Sequence, residues 1–134
     1  MTEAARYLIV LYAAEGEGSG PVPPGDVADA LDRSPSTATE MLQRLEERGL
    51  VTHEPYQGAT LTAEGRDAAA DLYRTYRTLS RFFREVLDLD DHEEEAMRLA
   101  GNVSPTVADR LAATLLDDAD PDEPVASLPG PDRP

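Results

Sequence analysis

Residues 25–62 read GDVADALDRSPSTATEMLQRLEERGLVTHEPYQGATLT, and the fold turns on how this stretch divides. Val27, Ala28, Ala30 and Leu31 mark the apolar side of a short helix that begins near Gly25 or Asp26. Asp32 and Arg33 interrupt it. Ser34 is a good N-cap, because its hydroxyl can accept from a free amide of the next turn. Pro35 suits the first helical position, where an N–H would have no partner. The helix that follows runs to about Arg48 with Ala38, Met41, Leu42 and Leu45 on one side, and Gly49 ends it as a C′ residue. The period then changes to that of strands. Leu50–Glu54 is a strand, Pro55–Gly58 a turn, and Ala59–Thr62 the returning strand.

Upstream, Ala4, Tyr7, Leu8, Leu11 and Tyr12 space a helix over residues 2–14, and residues 15–21 are a loop by composition. Helix, helix, turn, helix and hairpin in that order make a winged helix-turn-helix. Downstream, Thr62 caps a long helix to about Leu87. Along it Leu72, Tyr76, Leu79, Phe83 and Val86 recur at four- and three-residue steps, an apolar seam that must bury against something. Asp90 to Glu93 has the form of a capping box for a fifth helix, and Ser104-Pro105 repeats the cap-then-proline start for a sixth, with Val107, Leu111, Leu115 and Leu116 apolar. The fold class expected is therefore mostly α with a small β-hairpin. Residues 1–65 form the winged domain, residues 66–117 an all-helical dimerisation domain, and residues 118–134 an acidic, proline-rich disordered tail. The second half carries more apolar surface than so short a segment buries alone, which points to a homodimer through the seam residues.

Charge bounds the setting. Asp and Glu outnumber Lys and Arg by 27 to 12, a formal net charge of -15, and every base is arginine. An acidic, lysine-free surface is expected of a protein that works in concentrated salt, where the Debye length falls to roughly 3 Å at 1 M and self-repulsion is screened. The composition fits a haloarchaeal source. No leader for secretion and no apolar run of roughly 18–20 residues is present, so the expected location is the cytoplasm and no membrane partner is expected. The absence of cysteine excludes disulfides and thiolate metal sites.

The N-terminal residues of a recognition helix meet base edges while its amides face phosphate. Here Ser34, Pro35, Ser36, Thr37, Thr39, Glu40 and Gln43 occupy that region. Hydroxyls serve phosphate or base, Gln43 can bond adenine through two hydrogen bonds, and Glu40 can accept from cytosine N4. Arg33 and Arg44 are candidate phosphate clamps, and Gln57 on the wing is a candidate backbone contact. Double-stranded DNA is thus the expected partner. Three arginines balance three glutamates between Arg33 and Arg48, so this face is neutral. Arg74, Arg77, Arg81 and Arg84 form a further stripe, open to an acidic partner or to neighbouring acids such as those of Asp88–Glu95.

Taken together, the segments Asp26–Leu31, Ser34–Leu45 and Gly49-Leu50-Val51 are similar to the family of diphtheria toxin repressors and manganese transport regulators. So are the wing Tyr56-Gln57-Gly58, the segment Leu61–Gly65 and the three later helices. The chain is identified as a short, two-domain member. The resemblance implies a homodimeric repressor on a palindromic operator, with Mn²⁺ or Fe²⁺ as corepressor. It also implies where metal ligands would stand. The first-helix ligand falls on Arg6, the long-helix histidine on Tyr76 and a nearby carboxylate on Ser80. A fifth-helix cluster falls on Met97, Ala100 and Gly101. Arg, Ala and Gly offer no side-chain ligand and a thioether is a poor one for these metals, so no metal cofactor is expected.

Two replacements follow. Arg6 could supply permanently the charge a metal would bring, pairing with Glu93 or Glu94; alternatively, His92 with Asp88, Asp91 and Glu95 could form a relocated metal site. Catalysis has no support: His53 and His92 are the only histidines, and no nucleophilic triad, phosphate loop or paired-histidine motif is present. The alternative to a regulator is a winged-helix interaction protein that does not bind DNA.

Overall fold

The computed structural model describes residues 2–18 and 20–115, in two compact units that divide between Tyr73 and Arg74. The expected tail, residues 118–134, lies outside the described residues. In the first unit, α1 (Thr2–Gly16) buries Ala4, Tyr7, Leu8 and Leu11 against α2 (Pro24–Leu31) and α3 (Pro35–Glu47). Val27, Ala28 and Leu31 come inward from α2, and Ala38, Leu42 and Leu45 from α3. The turn between these helices is closed by Asp32 in the left-handed region (φ 58), where its short polar side chain is tolerated. β1 (Val51–Glu54) and β2 (Gly58–Leu61) pair antiparallel, from Val51 opposite Leu61 to Glu54 opposite Gly58.

Three boundaries differ from the sequence expectation. α1 runs two residues further than expected. Glu15, expected in a loop, sits on it, accepts from Leu61 N at 2.9 Å and pairs with Arg66 Nη2 at 3.0 Å. α2 starts on Pro24 rather than at Gly25 or Asp26, because proline is preorganised for the first helical position. The loop before α2 contributes a third strand position. Val22 bridges to Ala59 with both N–H···O bonds at 2.9 Å, so the wing's return strand is paired on two sides. Gly58 permits that approach: a Cβ there would stand 2.3 Å from the Val22 carbonyl carbon and oxygen.

α4 (Ala63–Glu85) begins as expected at Thr62, whose Oγ1 accepts from Gly65 N at 3.0 Å and donates to Gly49 O at 2.7 Å. In the second unit, Leu79, Phe83 and Ala96 are buried, with Tyr76, Phe82, Leu89, Val103 and Leu111 packed around them. These side chains come from α4, α5 (His92–Leu99), α6 (Pro105–Leu115) and their connections. A short 3-10 turn, Ala100–Asn102, follows α5. Ser104 caps α6 by accepting from Val107 N at 3.2 Å. The capping box expected at Asp90–Glu93 does not form. Asp91 is the N-cap without a side-chain bond, and Glu93, Glu94 and Glu95 instead face the positive end of the helix as first-turn charges.

Candidate nucleic-acid interface

The amino end of α3 is an exposed cluster of hydroxyls. Ser34 Oγ accepts from Thr37 N at 3.2 Å, donates to Thr37 Oγ1 at 2.9 Å and lies 3.4 Å from Ser36 Oγ. The cap thus satisfies one free amide and holds three hydroxyls side by side. Glu40, Gln43 and Arg44 continue outward along the same helix and are exposed, and Thr39 is half-buried. Ala38, Leu42 and Leu45 are buried on the opposite side, so core packing fixes which residues α3 presents.

Arg33 is already engaged. Its Nε donates to Glu3 Oε2 at 2.8 Å, and its Nη1 donates to the carbonyls of Leu31 and Asp32 at 3.3 and 3.4 Å. The hydrogen bond to Glu3, with that carboxylate's charge, holds the guanidinium more firmly protonated than usual. Arg33 therefore ties the turn between α2 and α3 to α1 and is not the free phosphate clamp expected from sequence. The Tyr7 hydroxyl, buried with no hydrogen-bond partner among the described residues, feels the same pair. Burial raises its pKa, Glu3 raises it further, and Arg33 opposes them. On the wing, Gln57 is exposed and its N–H closes the turn onto Glu54 O at 2.9 Å.

Residues 1–59 match the model of the iron dependent repressor N-terminal DNA-binding domain, and residues 62–122 match that of the iron dependent repressor metal-binding and dimerisation domain. The chain belongs to the iron-dependent repressor family. It is 34% identical over 107 residues to an HTH-type transcriptional regulator of Methanocaldococcus jannaschii, across 78% of this chain and 86% of that one. It is 33% identical over 113 residues to the diphtheria toxin repressor of Corynebacterium glutamicum, across 83% of this chain and 49% of the relative. Among solved structures, a manganese-dependent transcriptional repressor in complex with manganese superposes with a TM-score of 0.75 at 34% identity, over 84% of this chain and 52% of that one. The manganese regulator SloR gives 0.73 at 27% identity, over 84% and 53%. The chain thus spans about half the length of the diphtheria toxin repressor and of both solved regulators. The family is one of transcriptional regulators, not enzymes.

The remaining candidate residues are placed as follows. Arg6 is half-buried, and its Nε is enclosed without a hydrogen-bond partner among the described residues. Tyr76 packs on the second unit's apolar cluster. Ser80, 9% exposed, is 2.8 Å from His92 Nδ1. That bond was not anticipated; its only signal in the sequence is a serine on an otherwise apolar face. Ala100 is buried, and Met97 and Gly101 are half-buried. Among the described residues no three His, Cys, Asp or Glu converge as a group that could hold a metal ion. Glu95 instead lies 3.6 Å from Arg98 Nε, and Glu94 lies 3.7 Å from Arg98 Nη2. Glu93 is exposed.

The dimer seam is also redistributed. Leu72 packs against the first unit's core, while Leu79 and Phe83 are buried inside the second. Of the five seam residues, Val86 alone is exposed, at 49%. The physical reason is that α5, α6 and their connections supply enough apolar partners to bury the middle of the seam locally. Among the described residues of the second unit, the exposed large apolar side chains are Val86, Leu87, Leu99 and Val107. In the arginine stripe, Arg81 and Arg84 both pair with Glu85, at 3.5 and 2.8 Å.

Proposed function

We propose that the chain is a sequence-specific DNA-binding transcription regulator, a repressor, that acts as a homodimer on a palindromic operator through α3. The exposed hydroxyl-lined amino end of α3, on a winged helix matching a DNA-binding domain model, carries this reading. Ser34, Pro35, Ser36, Thr37, Thr39, Glu40, Gln43 and Arg44 form the reading surface, with Gln57 beside it on the wing. Residues 1–65 are the DNA-binding part and residues 66–117 the dimerisation part. The exposed Val86, Leu87, Leu99 and Val107 support a self-association surface in the second unit. A neutral α3 face fits readout by close hydrogen bonds in the concentrated salt that the composition points to, and the proposed location is the cytoplasm. No helix of the described residues is long and apolar enough to cross a membrane.

Family relatives named for manganese raise the question of a metal corepressor. The donor set at the corresponding positions does not fit one. Arg6 brings a cation, Ala100 and Gly101 bring no ligand atom, Tyr76 packs in an apolar cluster and Ser80 is bonded to His92. The proposed regulator therefore has no working metal site at these positions. Arg6, whose Nε has no hydrogen-bond partner among the described residues, puts a fixed positive charge at the first-helix position where a metal ligand would stand.

Genome-wide DNA occupancy with and without added manganese and iron tests the whole reading. Discrete palindromic sites, unchanged by either metal, are expected. Metal-dependent occupancy overturns the metal-independent part, and no discrete sites overturns the DNA reading in favour of an interaction protein. Loss of occupancy on Arg6→Ala is the expected mark of the fixed-charge role.

A further inference from the structure

Tyr56 stands out at the tip of the wing. It is fully exposed, at 105%, and its φ is +65. It follows Pro55 in a turn closed by Gln57 N donating to Glu54 O at 2.9 Å. The third position of such a turn favours glycine or asparagine, because a Cβ is crowded at positive φ. A tyrosine here carries backbone strain, and its ring buries nothing in the free chain. Strain of this kind persists only where surrounding structure enforces it, and it concentrates at functional positions.

The mount of this residue is rigid. Ala59, 1% exposed, is bonded to Val22 in both directions at 2.9 Å. The Val22 backbone leaves no room for a Cβ on Gly58. Glu15 accepts from Leu61 N on the same strand. The hairpin is thus held at its base, and the side chain at its tip is presented from a fixed frame.

Residues 51–61 contain no lysine or arginine, and Glu54 flanks the turn. This wing has no cation with which to neutralise a phosphate. It offers an aromatic face and a hydroxyl instead. We propose that Tyr56 is a DNA-contacting residue of the wing, packing its ring on the deoxyribose edge beside the groove read by α3 and giving its hydroxyl to a phosphate oxygen. The inference rests on the DNA reading above and adds a residue and a type of contact to it. A tyrosine contact to sugar and phosphate positions the protein without reading sequence. Because no cation neutralises phosphate, it releases no counterion, and its contribution is independent of salt.

The test uses the full chain and duplexes selected from genomic fragments by the unaltered protein. Tyr56→Gly relieves the turn, so its melting temperature rises. Its operator affinity nonetheless falls about tenfold at every salt concentration, with the slope of log affinity against log salt unchanged. Tyr56→Phe keeps the ring and loses only part of that. Hydroxyl-radical footprints of Tyr56→Gly lose protection on sugars at the flanks of the site while keeping it at the centre. Tyr56→Gly binding as tightly as the unaltered chain overturns the inference alone, and so does a loss that disappears at high salt. Failure of the unaltered chain to retain any duplex overturns the DNA reading and the inference with it, which separates the two failures.

Discussion

Alanine at Gly65 would place a methyl carbon 1.9 Å from the Leu50 carbonyl oxygen, 2.8 Å from its carbon and 3.1 Å from its Cα. All three are backbone atoms, so no side chain can swing aside. Relief requires the first turn of α4 to move away from the segment that joins α3 to β1 by more than an ångström. That movement stretches two bonds that dock the start of the helix, Thr62 N to Leu50 O at 3.0 Å and Thr62 Oγ1 to Gly49 O at 2.7 Å. Each is worth about 1 kcal/mol net, and forced overpacking adds about 2 kcal/mol. Against this, alanine is the better helix former by about 1 kcal/mol. The balance is a net destabilisation of about 3 kcal/mol, which for a domain of this size lowers the melting temperature by about 15 °C. Gly25 is the control, since it also lies in a helix but a Cβ there meets nothing within 4 Å. Gly25→Ala should gain about 0.5–1 kcal/mol from the same chemical change. Thermal melts followed by circular dichroism in concentrated KCl compare the two. The reasoning fails if Gly65→Ala melts within about 2 °C of the unaltered chain, or if both substitutions shift the melt in the same direction.

Other outcomes are expected at the buried polar groups. The Tyr7 pKa is raised above its ordinary 10.0, so below pH 10 both folded and unfolded chains keep the proton and Tyr7 adds no pH dependence. Above that value the unfolded chain ionises first and stability falls as pH rises; Tyr7→Phe removes this alkaline loss. At neutral pH, Tyr7→Phe is neutral to stabilising by about 1 kcal/mol because the hydroxyl has no partner to lose among the described residues, and denaturant melts at pH 7 and above 10 check both points. Glu3→Gln weakens the hold on Arg33, which is then free to meet phosphate. Operator affinity should acquire about one further counterion of salt dependence, read as a slope steeper by about 0.9. Stability should change by under about 1 kcal/mol, because both side chains are about one-third exposed. Ser80→Ala breaks the bond to His92 and costs about 1 kcal/mol, with the His92 ring resonances shifting in NMR spectra.

Legibility followed the range of the interactions. Ser34, Thr62 and Ser104 were readable as caps because a cap joins a side chain to an amide three residues away. The hairpin was readable from its change of period, within a residue at each strand. The capping box at Asp90–Glu93 was the local exception. Acidic residues suit the helix end by charge as well as by hydrogen bonding, and composition does not tell these apart.

Sequence alone determined the order of the elements, the face that α3 presents and the hydroxyl cluster at its amino end, because these depend on periods and contacts within one turn. Only the tertiary structure decided which partner each long side chain takes. Arg33 reaches back 30 positions to Glu3 instead of outward. Glu15 crosses 46 positions to brace the wing strand. Leu79 and Phe83 are buried inside their own unit rather than left for a second chain. An apolar stripe states only that burial must occur, and an arginine only that an acceptor will be found. Which surface or carboxylate fills the role depends on chain segments far apart in sequence and brought together by packing.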